Sequence, residues 1–319
     1  MADLERARHS EHGGLAPGIL EADQRPPSRP AVAYAGEPGA FAEDAVGAFF
    51  AAPAPIPLPA FGDVFDAVET GRALAGVLPV ENVAMGSIRE VYDLLQEHEL
   101  VIVGEVVVPV RLSLAALPGT RLEAVERVYS HVQALGQADR FLRSRPWALL
   151  TTYNTAGAAK MVAERREPGA AAVASPRAAE LWGLEVLVRD IQSEPENRTR
   201  FVVVARPAPS AGGSPLDPAW LRRQAGVGAP KPPMRTTLVF ATPNTPGALH
   251  RCLGVFAERG FNMSKLESRP SRSRPWEYVF WVDLDVDGHD PATRDGLRAL
   301  EKTAQMVRVL GIYPRAEEP

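Results

Sequence analysis

Four polar strings sit where apolar runs stop. Glu81-Asn82 follows Leu78-Pro79-Val80, Ser130-His131-Val132-Gln133 follows Val128, Asn154-Thr155 follows Thr152, and Asn197-Arg198-Thr199-Arg200 precedes Phe201–Ala205. In open α/β sheets, ligands bind beyond strand ends, where loop N–H groups and helix N-termini converge. A rim of hydroxyls, amides and arginine suits a small molecule bearing carboxylates. Singly, the same residues read as caps and turns: Asn82 and Asn154 suit turns, and Thr155 suits an N-cap. Their recurrence on one rim is what points to binding. Other chemistries lack their residues. His9, His12, His98, His131, His250 and His289 show no HExxH or paired spacing, and the single Cys252 can form neither an internal disulfide nor a thiolate cluster, so no metal site is expected. Gly36 and Gly39 do not complete a dinucleotide fingerprint, and a Walker loop, a Gly-x-Ser-x-Gly elbow and a kinase set are all missing.

The scaffold for these strings reads as two α/β blocks. The 319 residues are 45% hydrophobic and 23% charged, with a net charge of −4. That is ordinary globular composition for about two domains, without the basic footprint of a nucleic-acid partner. No apolar run approaches the ~20 residues of a membrane span, and residues 1–29 lack a signal-peptide core. The expectation is a soluble, cytoplasmic protein with neither a membrane nor a nucleic-acid partner. Residues 1–29 read as a disordered leader, and the Pro/Gly-rich residues 207–234 as a linker.

Residues 30–206 alternate strand-like runs (Ala31–Ala35, Ala73–Val80, Leu100–Val110, Arg127–Ser130, Ala148–Thr152, Ala170–Ala174, Phe201–Ala205) with helical patterns. Asp63 reads as a cap for Val64–Glu69, Ser87 to Glu90 as a capping box, and Ser175 before Pro176 as a cap followed by a first turn. Such alternation argues for layered α/β structure with mostly parallel sheets. Residues 235–315 run β-α-β-β-α-β: Thr236–Ala241, a helix from Pro246 to Gly260, Asn262–Ser268, Trp276–Val286, a helix near Pro291–Thr303, and Met306–Leu310. That is the ferredoxin-like order.

Certain strings are more specific. Gly36-Glu37-Pro38-Gly39-Ala40-Phe41, Leu78-Pro79-Val80-Glu81-Asn82, Ser130-His131-Val132-Gln133-Ala134-Leu135, Asn154-Thr155-Ala156 and Asn197-Arg198-Thr199-Arg200-Phe201, in that order and spacing, resemble prephenate dehydratases. Gly247-Ala248-Leu249 and Glu267-Ser268-Arg269-Pro270 resemble the effector motifs of the family's ACT regulatory domain, while Tyr92-Asp93-Leu94-Leu95 and Arg308–Pro314 are similar to plant arogenate dehydratases. The chain departs from the family at Val83 (usually Ser), Val132 (usually Pro), Gly136-Gln137-Ala138 (usually Ala-Gln-Cys) and Ser193 (often Asp). Val83 removes a hydroxyl from the expected site.

The resemblance implies a two-lobed, periplasmic-binding-protein-like catalytic domain over residues 30–206 and a ferredoxin-like ACT domain over 235–315. It implies cofactor-independent, decarboxylating dehydration of prephenate to phenylpyruvate in phenylalanine biosynthesis. Thr199 matches the family's essential residue and would donate a hydrogen bond to the departing hydroxide. Glu81, Asn82, Ser130, Gln133, Asn154, Thr155 and Phe201 would surround the substrate; Arg200 would hold the pyruvyl carboxylate or else point away and brace its strand. The ACT domain would bind L-phenylalanine at a dimer interface through Gly247, Ala248, Leu249, Asn262, Ser268 and Pro270, with Glu267 and Arg269 on ligand or paired across that interface. A homodimer or homotetramer follows, inhibited by L-phenylalanine. Removal of residues 235–319 is expected to leave an active, insensitive catalytic fragment. Two other readings stay open: arogenate as substrate, and a non-catalytic two-lobed sensor of aromatic acids.

Overall fold

The apolar runs become strands, and the polar strings fall at strand ends or a helix start: Glu81-Asn82 close one strand, Ser130 closes another, Asn154-Thr155 open a helix, and Arg198–Arg200 open the strand that runs on through Phe201–Ala205. The computed structural model describes residues 29–207, 232–270 and 277–316. The expected leader, most of the expected linker and the start of the Trp276 strand lie outside the described residues. The first lobe holds β1 (Ala31–Ala35), α1 (Phe41–Phe49), β2 (Ala54–Leu58), α2 (Phe61–Glu69), β3 (Ala75–Asn82), β4 (Gly86–Ser87), α3 (Arg89–Glu97) and β5 (Val101–Pro109). The chain then crosses to a second lobe: β6 (Ser113–Ala116), β7 (Arg127–Ser130), α4 (Val132–Gln137), α5 (Asp139–Leu142), β8 (Ala148–Thr151), α6 (Thr155–Arg165), β9 (Ala170–Ala174), α7 (Pro176–Leu181) and β10 (Glu185–Val188). It returns to the first lobe as β11 (Arg198–Ala205). The C-terminal block is β12 (Met234–Ala241), α8 (Ala248–Ala257), β13 (Met263–Pro270), β14 (Tyr278–Leu284), α9 (Pro291–Thr303) and β15 (Met306–Pro314).

The sheets are mixed, not mostly parallel. In the first lobe β2, β1 and β3 are parallel, but β11 runs antiparallel to both β3 and β5 because it re-enters from the other lobe. The second lobe orders its strands β10-β6-β9-β7-β8, with only β9, β7 and β8 parallel. Two α/β lobes followed by a βαββαβ block give the fold class expected from the sequence.

The C-terminal block is not a loosely tethered appendage. Its sheet joins the first lobe's in one ten-stranded sheet, ordered β13-β14-β12-β15-β5-β11-β3-β1-β2, with β4 paired to β3 off that order. The joint is β15 beside β5 at Gly311 and Ile102. There a Cβ on residue 311 would run into the Ile102 carbonyl oxygen, so only glycine permits the approach. One apolar core spans the joint: Val91, Tyr92, Leu95 and Leu100 of the first lobe pack with Val239, Val279, Trp281 and Leu310 of the block. Tyr92 meets Trp281 edge to face, with ring centroids 4.9 Å apart. Removal of residues 235–319, expected to leave an active, insensitive fragment, would open this shared core. α3 itself shows a second override. Its N-cap is Ile88, not Ser87; the Ser87 hydroxyl instead donates to Glu267 at 2.5 Å and accepts from Lys265 at 3.0 Å, both in the C-terminal block.

Candidate active site

The C-terminal ends of the parallel strands of the two lobes face one another. Asn82 ends β3 and pairs in register with Thr199 at the start of β11. The Asn82 amide Nδ2 donates to the Thr199 hydroxyl at 2.9 Å, to Asn197 Oδ1 at 2.9 Å and to the Arg198 carbonyl at 3.2 Å. Its Oδ1 accepts from the backbone N–H groups of Ala84 and Met85, each at 3.0 Å, and from Gln137 of the second lobe at 3.5 Å. Asn82 is thus saturated by protein partners and positions its neighbours. Because Thr199 accepts from Asn82, its own proton is left to donate. The arrangement holds a hydroxyl donor in a nearly buried place, with Thr199 7% and Asn197 2% exposed. The Asn197 Nδ2 donor is buried and has no partner among the described residues, which is costly unless an acceptor arrives.

The lobes also enclose a cavity of about 130 Å³, lined by Gly36, Gly39 and Phe41 of the first lobe and by Asn154, Thr155 and Ser175 of the second, and not by Asn82 or Thr199. Asn154 caps α6, accepting from the Gly157 N–H at 2.5 Å, so Thr155 is the first helical residue and not the cap. The N-terminus of this 11-residue helix opens on the cavity, a place that favours a carboxylate. Ser175 caps α7 as the sequence suggests and also donates to the Gly39 carbonyl at 3.0 Å. Gly39 lies at φ +92°, and a Cβ there would press to 2.8 Å on the Ala178 Cα, so a side chain would force the lobes apart. Ion pairs latch the same side: Glu37 to Lys160 at 3.1 Å, and Arg177 to Glu43 at 2.9 Å and Asp44 at 2.6 Å.

Several expected substrate contacts lie elsewhere. Arg200 and Glu81 alternate to the opposite face from Thr199 and Asn82. The Arg200 guanidinium meets Glu81 at 3.2 Å, Glu105 at 3.1 Å and Asp283 of the C-terminal block at 2.7 Å. Burial alone would lower its pKa, but Asp283 and its neighbours raise it well above the ordinary arginine value. Of the two roles left open for Arg200, the geometry selects the brace. Phe201 is 2% exposed and packs in the first-lobe core with Val32, Tyr34 and Phe50. Ser130 is fully buried and donates to the Val173 carbonyl at 2.7 Å, fastening β7 to β9. The Gln133 side chain is exposed on α4, while its N–H donates to His131 Nδ1 at 3.3 Å. Burial lowers the His131 pKa. Sequence reasoning quoted Asn197 and Gln137 within longer strings without giving them a role. An amide two residues before the hydroxyl donor is the signal that was available.

The C-terminal block carries its own cavity of about 400 Å³, lined by Asn244, Thr245, Gly247, Ala248, Leu249, Tyr278 and Phe280 among others. Gly247 caps α8 at φ +76°, a left-handed conformation suited to glycine. Ser268 and Pro270 on the edge strand β13 stand opposite Phe280 and Tyr278 and are exposed at that end of the sheet. Asn262 is at the other end, about 20 Å along the strands, donating to Asp285 at 2.8 Å. Glu267 and Arg269 have partners within their own chain. They hold Ser87 and Asp93 of the same chain, Arg269 meeting both Asp93 oxygens at 3.0 Å.

Comparison with known proteins follows this division. The Prephenate dehydratase family model matches residues 32–209 and the ACT domain model residues 236–302. The chain is 38% identical over 296 residues to Arogenate dehydratase/prephenate dehydratase 2, chloroplastic, of Arabidopsis thaliana, covering 90% of this chain and 73% of that protein. It is 40% identical over 304 residues to Arogenate dehydratase 1 of Petunia hybrida, covering 90% and 68%. Among solved structures it is similar to a prephenate dehydratase from Arthrobacter aurescens in complex with L-Phe (30% identity, TM-score 0.77, 89% of this chain and 90% of that one). It is also similar to GqqA, described as a novel type of quorum quenching acylase (32% identity, TM-score 0.76, 89% and 98%). With matching catalytic and ACT portions in order along one chain, this protein belongs to the prephenate dehydratase family, lyases of aromatic amino acid biosynthesis.

Proposed function

We propose that the cleft converts prephenate to phenylpyruvate, CO₂ and water. The ring carboxylate leaves as CO₂, its bonding pair becomes part of the aromatic ring, and the ring C–O bond breaks to release hydroxide. Aromatisation drives the step; the difficulty is the poor leaving group. The observation that carries this reading is the Asn82–Thr199 hydrogen bond, which occupies the Thr199 oxygen as an acceptor and leaves its proton free to donate. Hydrogen-bond assistance of this kind contributes ~10²–10⁴ in rate. The N-terminus of α6 and the spare Asn197 amide supply places for the substrate's carboxylate and keto oxygens, tasks Arg200 cannot perform from its face of the sheet.

Arogenate is the second reading, since it differs only by an amine in place of the keto group and is named in the plant relatives. L-Phenylalanine is the proposed effector, seated at the Gly247 cavity with Ser268 and Pro270 supplied by a second copy. A cytoplasmic homodimer or homotetramer fits this regulation. The test is purified protein with prephenate and with arogenate, reading phenylpyruvate, phenylalanine and CO₂ separately. Phenylpyruvate with stoichiometric CO₂ supports the first reading and phenylalanine the second. Absence of all three products overturns both in favour of a sensor.

A further inference from the structure

Thr199 and Arg200 are neighbours on β11, and Asn82 and Glu81 are neighbours on β3. Register sets Thr199 opposite Asn82 and Arg200 opposite Glu81. The cleft-facing pair is bonded at 2.9 Å, and one peptide along each strand the rear-facing pair is bonded at 3.2 Å. Immediately beyond, the register slips, so that Phe201 pairs with Pro79. Such a bulge loosens the ladder where side chains are to be aimed, and Pro79 has no N–H to mend it. What holds this corner must therefore come in part from the rear-facing ion pair.

That pair is completed by the ACT domain. Asp283 on β14 meets Arg200 at 2.7 Å, and Lys265 on β13 meets Glu81 at 2.9 Å; the two are register partners across the ACT sheet. Asp283 is itself fixed, accepting from Thr237 at 2.7 Å, and Thr237 is bonded to the Tyr313 hydroxyl at 2.7 Å. Arg235 binds both Glu105 oxygens at 2.9 Å and Asp285 at 3.2 Å, and Arg315 reaches Asp285 at 3.5 Å. Arg200, Arg235, Lys265 and Arg315 thus face Glu81, Glu105, Asp283 and Asp285, a neutral cluster. Buried charges of this kind contribute little net stability but specify an arrangement.

We infer that Asp283 and Lys265 of the ACT sheet are positioning residues for the dehydration: by fixing Arg200 and Glu81 behind β11 and β3, they aim Thr199 and Asn82 into the cleft. This rests on the dehydratase reading. The ACT domain then forms part of the catalytic scaffold in its own chain, whether or not effector is bound.

The test uses the full chain with Asp283→Asn, which keeps an acceptor for Thr237 and removes the charge facing Arg200, and Lys265→Met, which keeps the aliphatic stem over Tyr92. Expected is a fall in kcat of about tenfold for the first and about threefold for the second, with KM within about twofold. Repeated in a Thr199→Ala background, both substitutions should cost nothing further, since they act through a hydroxyl that is gone. Equal losses in both backgrounds, a loss confined to KM, or unchanged kcat would overturn the inference. Should Asp283→Asn fail to fold, Lys265→Met on the edge strand is judged by the same criteria. Side-chain amide resonances of Asn82 give a readout independent of turnover: Asp283→Asn or Lys265→Met should move them. Unmoved resonances overturn the positioning role, whereas a wild type inert toward prephenate and arogenate overturns only the dehydratase reading.

Discussion

Trp281→Ala tests whether the two blocks share one core. Trp281 lies on β14 of the ACT domain, is 2% exposed, and packs edge to face on Tyr92 of α3 in the catalytic domain. Truncating a buried tryptophan costs about 3–5 kcal/mol, and the lost aromatic pair adds about 1 kcal/mol. A total near 5 kcal/mol is a large part of the ~5–15 kcal/mol that holds a folded chain. At a urea slope of about 3 kcal/mol/M, the unfolding midpoint should fall by roughly 1.5 M. The assay is urea unfolding followed in parallel by far-UV circular dichroism and by residual dehydratase activity. With a shared core, both probes should shift together, because Leu95 and Leu100 of the catalytic domain lose cover along with Val279 and Leu310 of the ACT domain. Activity that persists past an early loss of ACT structure would refute the reasoning, and so would an unchanged midpoint. The same argument predicts that a fragment ending at residue 207 is destabilised, since Tyr92, Leu95, Leu100 and Ile102, all at most 4% exposed in the full chain, would meet water.

Tyr92→Phe should stabilise the protein by about 1 kcal/mol in the same unfolding assay, because its buried hydroxyl has no partner among the described residues while the ring keeps its contacts with Trp281 and Lys265; a loss of stability would show that the hydroxyl is satisfied. Burial lowers the His131 pKa below its ordinary 6.5, and its Nδ1 must stay unprotonated to accept from Gln133. The unfolded state then binds more protons as pH falls through about 6.5, so stability should rise with pH across that window and level off above it; His131→Asn should flatten the slope, and an unchanged slope would exclude this imidazole as its source. Gly247→Val should abolish inhibition of initial rate by L-phenylalanine with turnover within about twofold of wild type, since φ +76° and the lining of the ACT cavity both require the missing side chain. Undiminished inhibition would place the effector elsewhere.

Local chemistry made much of the fold readable. Ser175 before Pro176 caps α7 as read, and α9 spans Pro291–Thr303 as its pattern indicates. Of the polar strings, Asn154-Thr155 lines the cavity between the lobes, and Asn82 is bonded to Thr199. What failed to read was mostly long-range. Asp63, a local miss, is not the N-cap: α2 begins at Phe61 after the N-cap Ala60, and Asp63, three positions past that cap, accepts from the Ala60 N–H at 3.0 Å. Ser87 has the spacing of a capping box, yet Lys265 and Glu267 claim its hydroxyl from about 180 residues away. Arg200 beside Thr199 reads either as a carboxylate ligand or as a brace, because strand alternation says only that it faces the other way, not what lies there. The Pro/Gly-rich stretch reads only as a linker, while the glycine that permits joining, Gly311, sits unremarked in a strand. The misses at Ser87, Arg200 and Gly311 concern contacts between catalytic and ACT portions, and neither portion's local pattern encodes the other's position.

The central claim is that the Thr199 hydroxyl, oriented by Asn82, assists the departing hydroxide. Steady-state turnover of prephenate by wild type, Thr199→Ser and Thr199→Ala, with phenylpyruvate and CO₂ measured together, tests it most directly. Thr199→Ala should lose ~10² or more in kcat with KM nearly unchanged, and Thr199→Ser, which keeps an O–H within reach of Asn82, should retain substantial activity. Thr199→Ala turning over at the wild-type rate would contradict the account.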